Sequence, residues 1–199
     1  SREKIFLCNP ENSSQEESCA LDIITDFANR AYRRPITESD MAPLLAFYEQ
    51  GFESNGFEEG VRRALTRVLA SPNFLYRTSV APANHPQGTA YEVSDLDLAS
   101  RLSFFVWSSL PDRELLDLAI AGKLSDPSTL NTQIERMIAD SKSSTLASNF
   151  AYQWLELSKL DEINPDGAIF PYAFGAGDLR PDFKTELELF VDSIIREDR

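Results

Sequence analysis

Apolar side chains recur every three to four positions along nearly the whole chain, and Pro, Gly and small polar residues interrupt them at short intervals. That period gathers apolar groups on one side of a helix, whereas a half-buried strand would need alternation by two. Stripes of this kind bury themselves by packing helix on helix. The expected fold is therefore all-α, with about eight helices in two packed clusters joined by a Pro-containing linker.

The first cluster is expected over residues 1–80. Ala20, Ile23, Ile24, Phe27, Ala28 and Ala31 form one stripe. Ser13 or Ser14 with Glu16 or Glu17 supplies a start signal, and Arg33-Arg34-Pro35 a stop, because the residue before proline disfavours the α region. Thr37, Glu38 and Asp40 open a second helix through Leu44, Leu45 and Tyr48, with its exit bracketed by Gly51 and Gly56. A third runs from Phe57 to Leu69 and ends near Ser71-Pro72. Residues 81–90 (APANHPQGTA) hold two prolines, one glycine and no charge, which marks a linker. Phe74-Leu75-Tyr76 and Ala90 to Val93 would flank it as short extended pieces.

The second cluster is expected over residues 91–199. Ser94 caps a helix running to Val106, apolar almost all round in its second half and so a candidate for the buried centre. Pro111-Asp112 begins another helix, Glu114 to Ala121, and one more covers Pro127 to Ala139. Leu146, Ala147, Phe150, Ala151, Trp154 and Leu155 line a further helical stripe. Both tryptophans, Trp107 and Trp154, lie on apolar stripes and are expected in the core, in preference to exposed rings that stack on sugars. A final helix starts near Pro181, with Phe183, Leu187, Phe190, Val191, Ile194 and Ile195 on one face. That stripe reaches the last residues without a Gly or Pro stop, so the sequence is expected to be a fragment, truncated at its C-terminus.

Cys8 and Cys19 are the only cysteines, eleven residues apart across a polar, turn-rich loop. The spacing favours a disulfide pinning the N-terminal segment to the first helix, over two free thiols or a reactive pair. Such a bridge implies an oxidising compartment. No C-x-x-C or C-x-x-C-H motif is present and His85 is the only histidine, so no metal or haem site is expected within this sequence.

The formal net charge is −13. A surface this acidic repels phosphate backbones and anionic headgroups, which argues against nucleic acid as a partner. The most apolar window, Leu102 to Leu110, is too short and too rich in serine to span a membrane. The many acidic pairs, among them Glu58-Glu59, Asp112 with Glu114, and Asp161-Glu162, fall in first turns or on polar faces, where they complement the helix dipole. No catalytic residue and no cofactor-binding residue stands out. No G-x-S-x-G, G-x-G-x-x-G or Walker loop occurs, and His85 sits in the linker, where a solvated ring is expected. Tyr172 and Phe174, in an aromatic irregular loop, and Arg101 form the expected contact surface, and Arg33 and Arg34 are the other cations of interest.

The segment Tyr91 to Asp112 (YEVSDLDLASRLSFFVWSSLPD), with Gln153-Trp154-Leu155 and the run from Glu186 to Asp198, resembles a helical domain of unknown function. That domain occurs in large exported proteins, abundant in planctomycetes, that also carry a cytochrome c-like domain. The preceding part, with Cys8, Cys19, Ala31 to Pro35 and Leu69 to Arg77, is similar to the partner domain that precedes it. The resemblance implies an exported location, periplasmic or at the cell surface. It places c-type haem in the rest of the parent protein and none in this fragment. The function expected is a non-catalytic helical scaffold or docking module. Its partners would be other domains of the parent protein and a basic redox protein. The competing expectation is part of a cell-surface polysaccharide-active enzyme, or a carbohydrate-binding module.

Overall fold

The computed structural model describes residues 2–77, 85, 86, 88–170 and 178–197. Among these residues the fold is all-α, with eight α-helices joined by 3-10 and π turns and no strand. The chain divides into two compact units, one of Ser1–Ser100 with Leu110–Leu124, the other of Arg101–Ser109 with Ser125–Arg199.

In the first unit, α1 (Ser13–Tyr32) starts where the Asn12 side chain accepts from the Ser14 amide. Its stripe of Ala20, Ile23, Ile24, Ala28 and Ala31 is buried. It stops at Arg33, which takes the left-handed conformation. α2 (Glu38–Leu69) opens on a reciprocal cap: the Asp40 amide donates to the Thr37 hydroxyl, and the Thr37 amide donates to the Asp40 carboxylate. It is two limbs, broken at Asn55 and Gly56, where Gly56 has φ +77°. Gly51 lies inside the first limb, and its α-carbon faces the backbone of Glu59 and Gly60 on the second. Only residues without a Cβ allow that approach. Leu44, Tyr48, Val61, Ala64 and Val68 from the two limbs close the core over α1. Each of the larger apolar side chains so covered contributes about 1.5–3 kcal/mol.

α3 (Pro72–Leu75) is a single turn capped by Ser71, with proline in first position. Phe74 and Leu75 are therefore helical, and only Tyr76 is extended. α4 (Asp95–Trp107) begins at Ser94, whose hydroxyl accepts from the Asp97 amide at 3.2 Å. α5 (Arg113–Ile120) is capped by Asp112 and buries Leu115, Leu116 and Ala119. Two contacts complete the first unit. The Asp95 carboxylate accepts from the Leu124 amide at 2.7 Å, and Arg113 joins Arg30 on Asp26.

The second unit takes the end of α4, where Val106 and Trp107 are buried. The Trp107 indole donates to the Met137 carbonyl at 2.9 Å, and Arg136 and Lys142 lie over its ring. α4 is not buried all round, however: Phe105 is 57% exposed. α6 (Pro127–Ala139), capped by Asp126, buries Met137. The stripe from Leu146 to Leu155 does not form one α-helix. A 3-10 turn (Ser141–Ser144), a π turn (Leu146–Ala151), the short α7 (Tyr152–Trp154) and a 3-10 turn (Leu157–Glu162) follow each other. Leu146, Ala147 and Ala151 point inward and Trp154 outward. α8 (Arg180–Glu197) closes the unit with no fully buried residue: Phe183 is 53% and Phe190 61% exposed.

Candidate functional site

The expected cysteine bridge is present. Cys8 and Cys19 are joined with their α-carbons 5.9 Å apart, tying the N-terminal turn to α1. Both sulfurs are thereby occupied, so the residues do not fit a covalently attached haem. Among the described residues, no three of His, Cys, Asp and Glu gather as a metal-ligand set.

Arg33 and Arg34 act within the fold. The Arg33 guanidinium, 7% exposed, donates to the carbonyls of Ala31, Asn73, Phe74 and Tyr76 and so holds α3 against the end of α1. Arg34 makes a two-pronged contact with Asp40 at 2.7 and 3.0 Å. Asp40 also accepts from the Thr37 amide and the Asn73 amide group. The hydrogen bonds from Arg34, then those from Thr37 and the Arg34 charge, hold the Asp40 carboxyl well below the usual carboxylate range against the opposing effect of burial. His85 stays partly exposed, as its linker position implies, but its ring is engaged. Its Nε2 lies 2.7 Å from the Thr89 hydroxyl, and its ring meets the edge of Tyr91. The Thr89 carbonyl lies 3.1 Å from the same Nε2, so both partners come from one exposed linker residue rather than from a catalytic carboxylate.

Arg101 lies exposed on α4. Tyr172 and Phe174 fall outside the described residues.

The second unit carries a cleft of about 300 Å³ between α8 and the π turn. Ser144, Ser148 and Thr185 line it with hydroxyls, Glu188 and Asp192 with carboxylates, and Leu189 with an apolar side chain. These groups serve the fold. Glu188 accepts from the Tyr152 hydroxyl at 2.9 Å, and Asp192 pairs with Arg196, which also donates to the Ile138 carbonyl and the Ser143 hydroxyl. Burial, then the bond to Glu188, pushes the Tyr152 phenol up to about 12, so at neutral pH it is a proton donor in a structural bond. The cleft can hydrogen-bond a ligand but holds no activated nucleophile.

A second feature of this unit corrects the expectation of a buried Trp154. Phe105, Phe150 and Trp154 form a contiguous aromatic stack at the surface, 57%, 49% and 72% exposed. Beside it the Asn149 side-chain amide donates to the Ser108 hydroxyl at 2.7 Å. An apolar stripe signals that residues share a face; it does not reveal whether anything covers that face.

The acidity is also uneven. Residues 93–199 hold 19 acidic against 10 basic side chains, and residues 1–92 hold 13 against 9.

Compared with known proteins, the chain matches two family models. One, described as PSD4, a protein of unknown function (DUF1592), covers residues 93–199. The other, described as PSD5, a protein of unknown function (DUF1595), covers residues 19–79. No curated protein and no solved structure matches the chain.

Proposed function

This chain belongs to the DUF1592 family of proteins of unknown function, and from that premise we propose that it is a non-catalytic helical docking module of a larger exported protein. One observation carries the reading: the acidic excess is concentrated in the stretch that defines the family, and among the described residues no polar cluster beside it is poised for chemistry. A one-signed surface steers an oppositely charged partner into encounter and disfavours like-charged ones. The partner proposed is a basic redox protein, with c-type haem carried elsewhere in the parent protein. The Cys8–Cys19 bridge supports an oxidising location, periplasmic or at the cell surface. No helix among the described residues is long and apolar enough to cross a membrane.

Calorimetric titration with a basic c-type cytochrome, and with an acidic protein of similar size, tests the reading at low salt. Saturable heat with the basic protein alone is the expected result. Equal binding of both, or of neither, would remove the docking role.

A further inference from the structure

Going beyond the docking role, we infer that the Phe105–Phe150–Trp154 stack is a binding platform for the apolar face of a pyranose ring in a neutral, β-linked glycan.

Three large rings side by side at the surface forgo the gain from burial that Trp107 obtains in the same unit. The rings are held in relation to one another. Phe150 and Trp154 stack at 6.1 Å and 20°, and Phe105 meets Phe150 edge-on at 5.7 Å and 67°. With 72% of Trp154 in solvent, its contact with Phe150 leaves indole surface open for a second flat partner. Phe150 and Trp154 are four residues apart, the spacing that puts two side chains on one helical face, and the π turn over Leu146–Ala151 runs through the first of them. Turns of this kind recur at functional sites.

Polar side chains adjoin the rings along the chain: Asn149 precedes Phe150, and Ser108 follows Phe105 by three residues. The 2.7 Å bond between Asn149 and Ser108 uses one amide proton of Asn149 and one lone pair of Ser108. The Asn149 carbonyl and the Ser108 proton make an acceptor and a donor side by side, which suits a hydroxyl rim. A flat C–H face bordered by hydroxyls is the shape of an equatorially substituted pyranose. Nucleic acid also has flat faces, but its phosphates would meet the acidic excess of residues 93–199.

The chain has two tryptophans, Trp107 buried and Trp154 exposed, so fluorescence separates them. Titrating the full chain with cellohexaose should shift the emission to the blue and shield it from acrylamide, with saturation. W154A should weaken binding on the order of tenfold or abolish it, with the remaining Trp107 emission unmoved. N149A should weaken binding several-fold with its circular dichroism unchanged. No saturable response to cellohexaose or hexa-N-acetylchitohexaose at millimolar concentration would overturn the inference, as would binding that survives W154A undiminished. The docking role is scored separately. If W154A abolishes association with the basic cytochrome and leaves the glycan response intact, the stack belongs to a protein interface and the inference fails.

Discussion

Replacing Gly51 by alanine tests how the two limbs of α2 meet. In isolation the change should help, since alanine is about 1 kcal/mol better than glycine within a helix. Its Cβ, however, would sit 2.7 Å from the Glu59 carbonyl oxygen and 2.7 Å from the Gly60 α-carbon. Both neighbours are backbone, so no side-chain rotation relieves the clash and the limbs must part. Against two backbone neighbours the overpacking cost lies in the upper part of its range, about 2–3 kcal/mol. The net expectation is a loss of about 1–2 kcal/mol, read as a lower urea midpoint by circular dichroism with the slope unchanged. Gly56→Ala is the counterpart. Nothing lies within 4 Å of its Cβ, but φ +77° with ψ −166° is a conformation open essentially to glycine alone, so the cost there is backbone strain of about 1–3 kcal/mol. A Gly51→Ala protein as stable as the parent would refute the close approach.

Three other predictions follow from the contacts described. Replacing Cys8 and Cys19 together by serine should lower stability by about 3 kcal/mol in the chain-entropy account, and reduction should add two hydrogens to the mass of the parent protein. Because the folded state holds Asp40 ionised below its ordinary value, its contribution is complete above that value and is lost as pH falls toward the depressed one. Asp40→Asn should therefore be less stable at neutral pH, and its acid unfolding curve shallower. For Tyr152 the sign reverses: its phenol is raised, so stability drains as pH climbs from its ordinary value of 10.0 toward about 12. Ultraviolet titration should find a late-ionising tyrosine that Tyr152→Phe removes.

Much of the fold was legible because its signals are local. The α1 stripe, the Thr37–Asp40 cap, and the starts at Ser94, Asp112 and Pro127 need only a few neighbouring residues to act, and each stands where the sequence places it. Ser71-Pro72 reads as the end of the preceding helix and Phe74-Leu75-Tyr76 as an extended piece, whereas Ser71 caps a single helical turn, Pro72–Leu75. What failed depended on covering. Leu146 to Leu155 has helical spacing, yet the inward demands of Leu146, Ala147 and Ala151 are met through a π turn that leaves Trp154 in solvent. Gly51 reads as a helix exit and is instead a contact point inside a limb. Arg33 satisfies four carbonyls from positions up to 43 residues away, a relation no local pattern encodes.

The association rate of the intact protein with a basic c-type cytochrome, followed by stopped flow across ionic strength, probes the docking role most directly. Raising salt from about 0.01 to about 0.1 M shortens the screening length from about 30 to about 10 Å. The rate should fall steeply over that range, and neutralising the exposed Glu135, Asp182 and Glu186 should flatten the dependence while the fold is kept. A rate indifferent to salt, or one unchanged by the neutralised surface, would contradict the account.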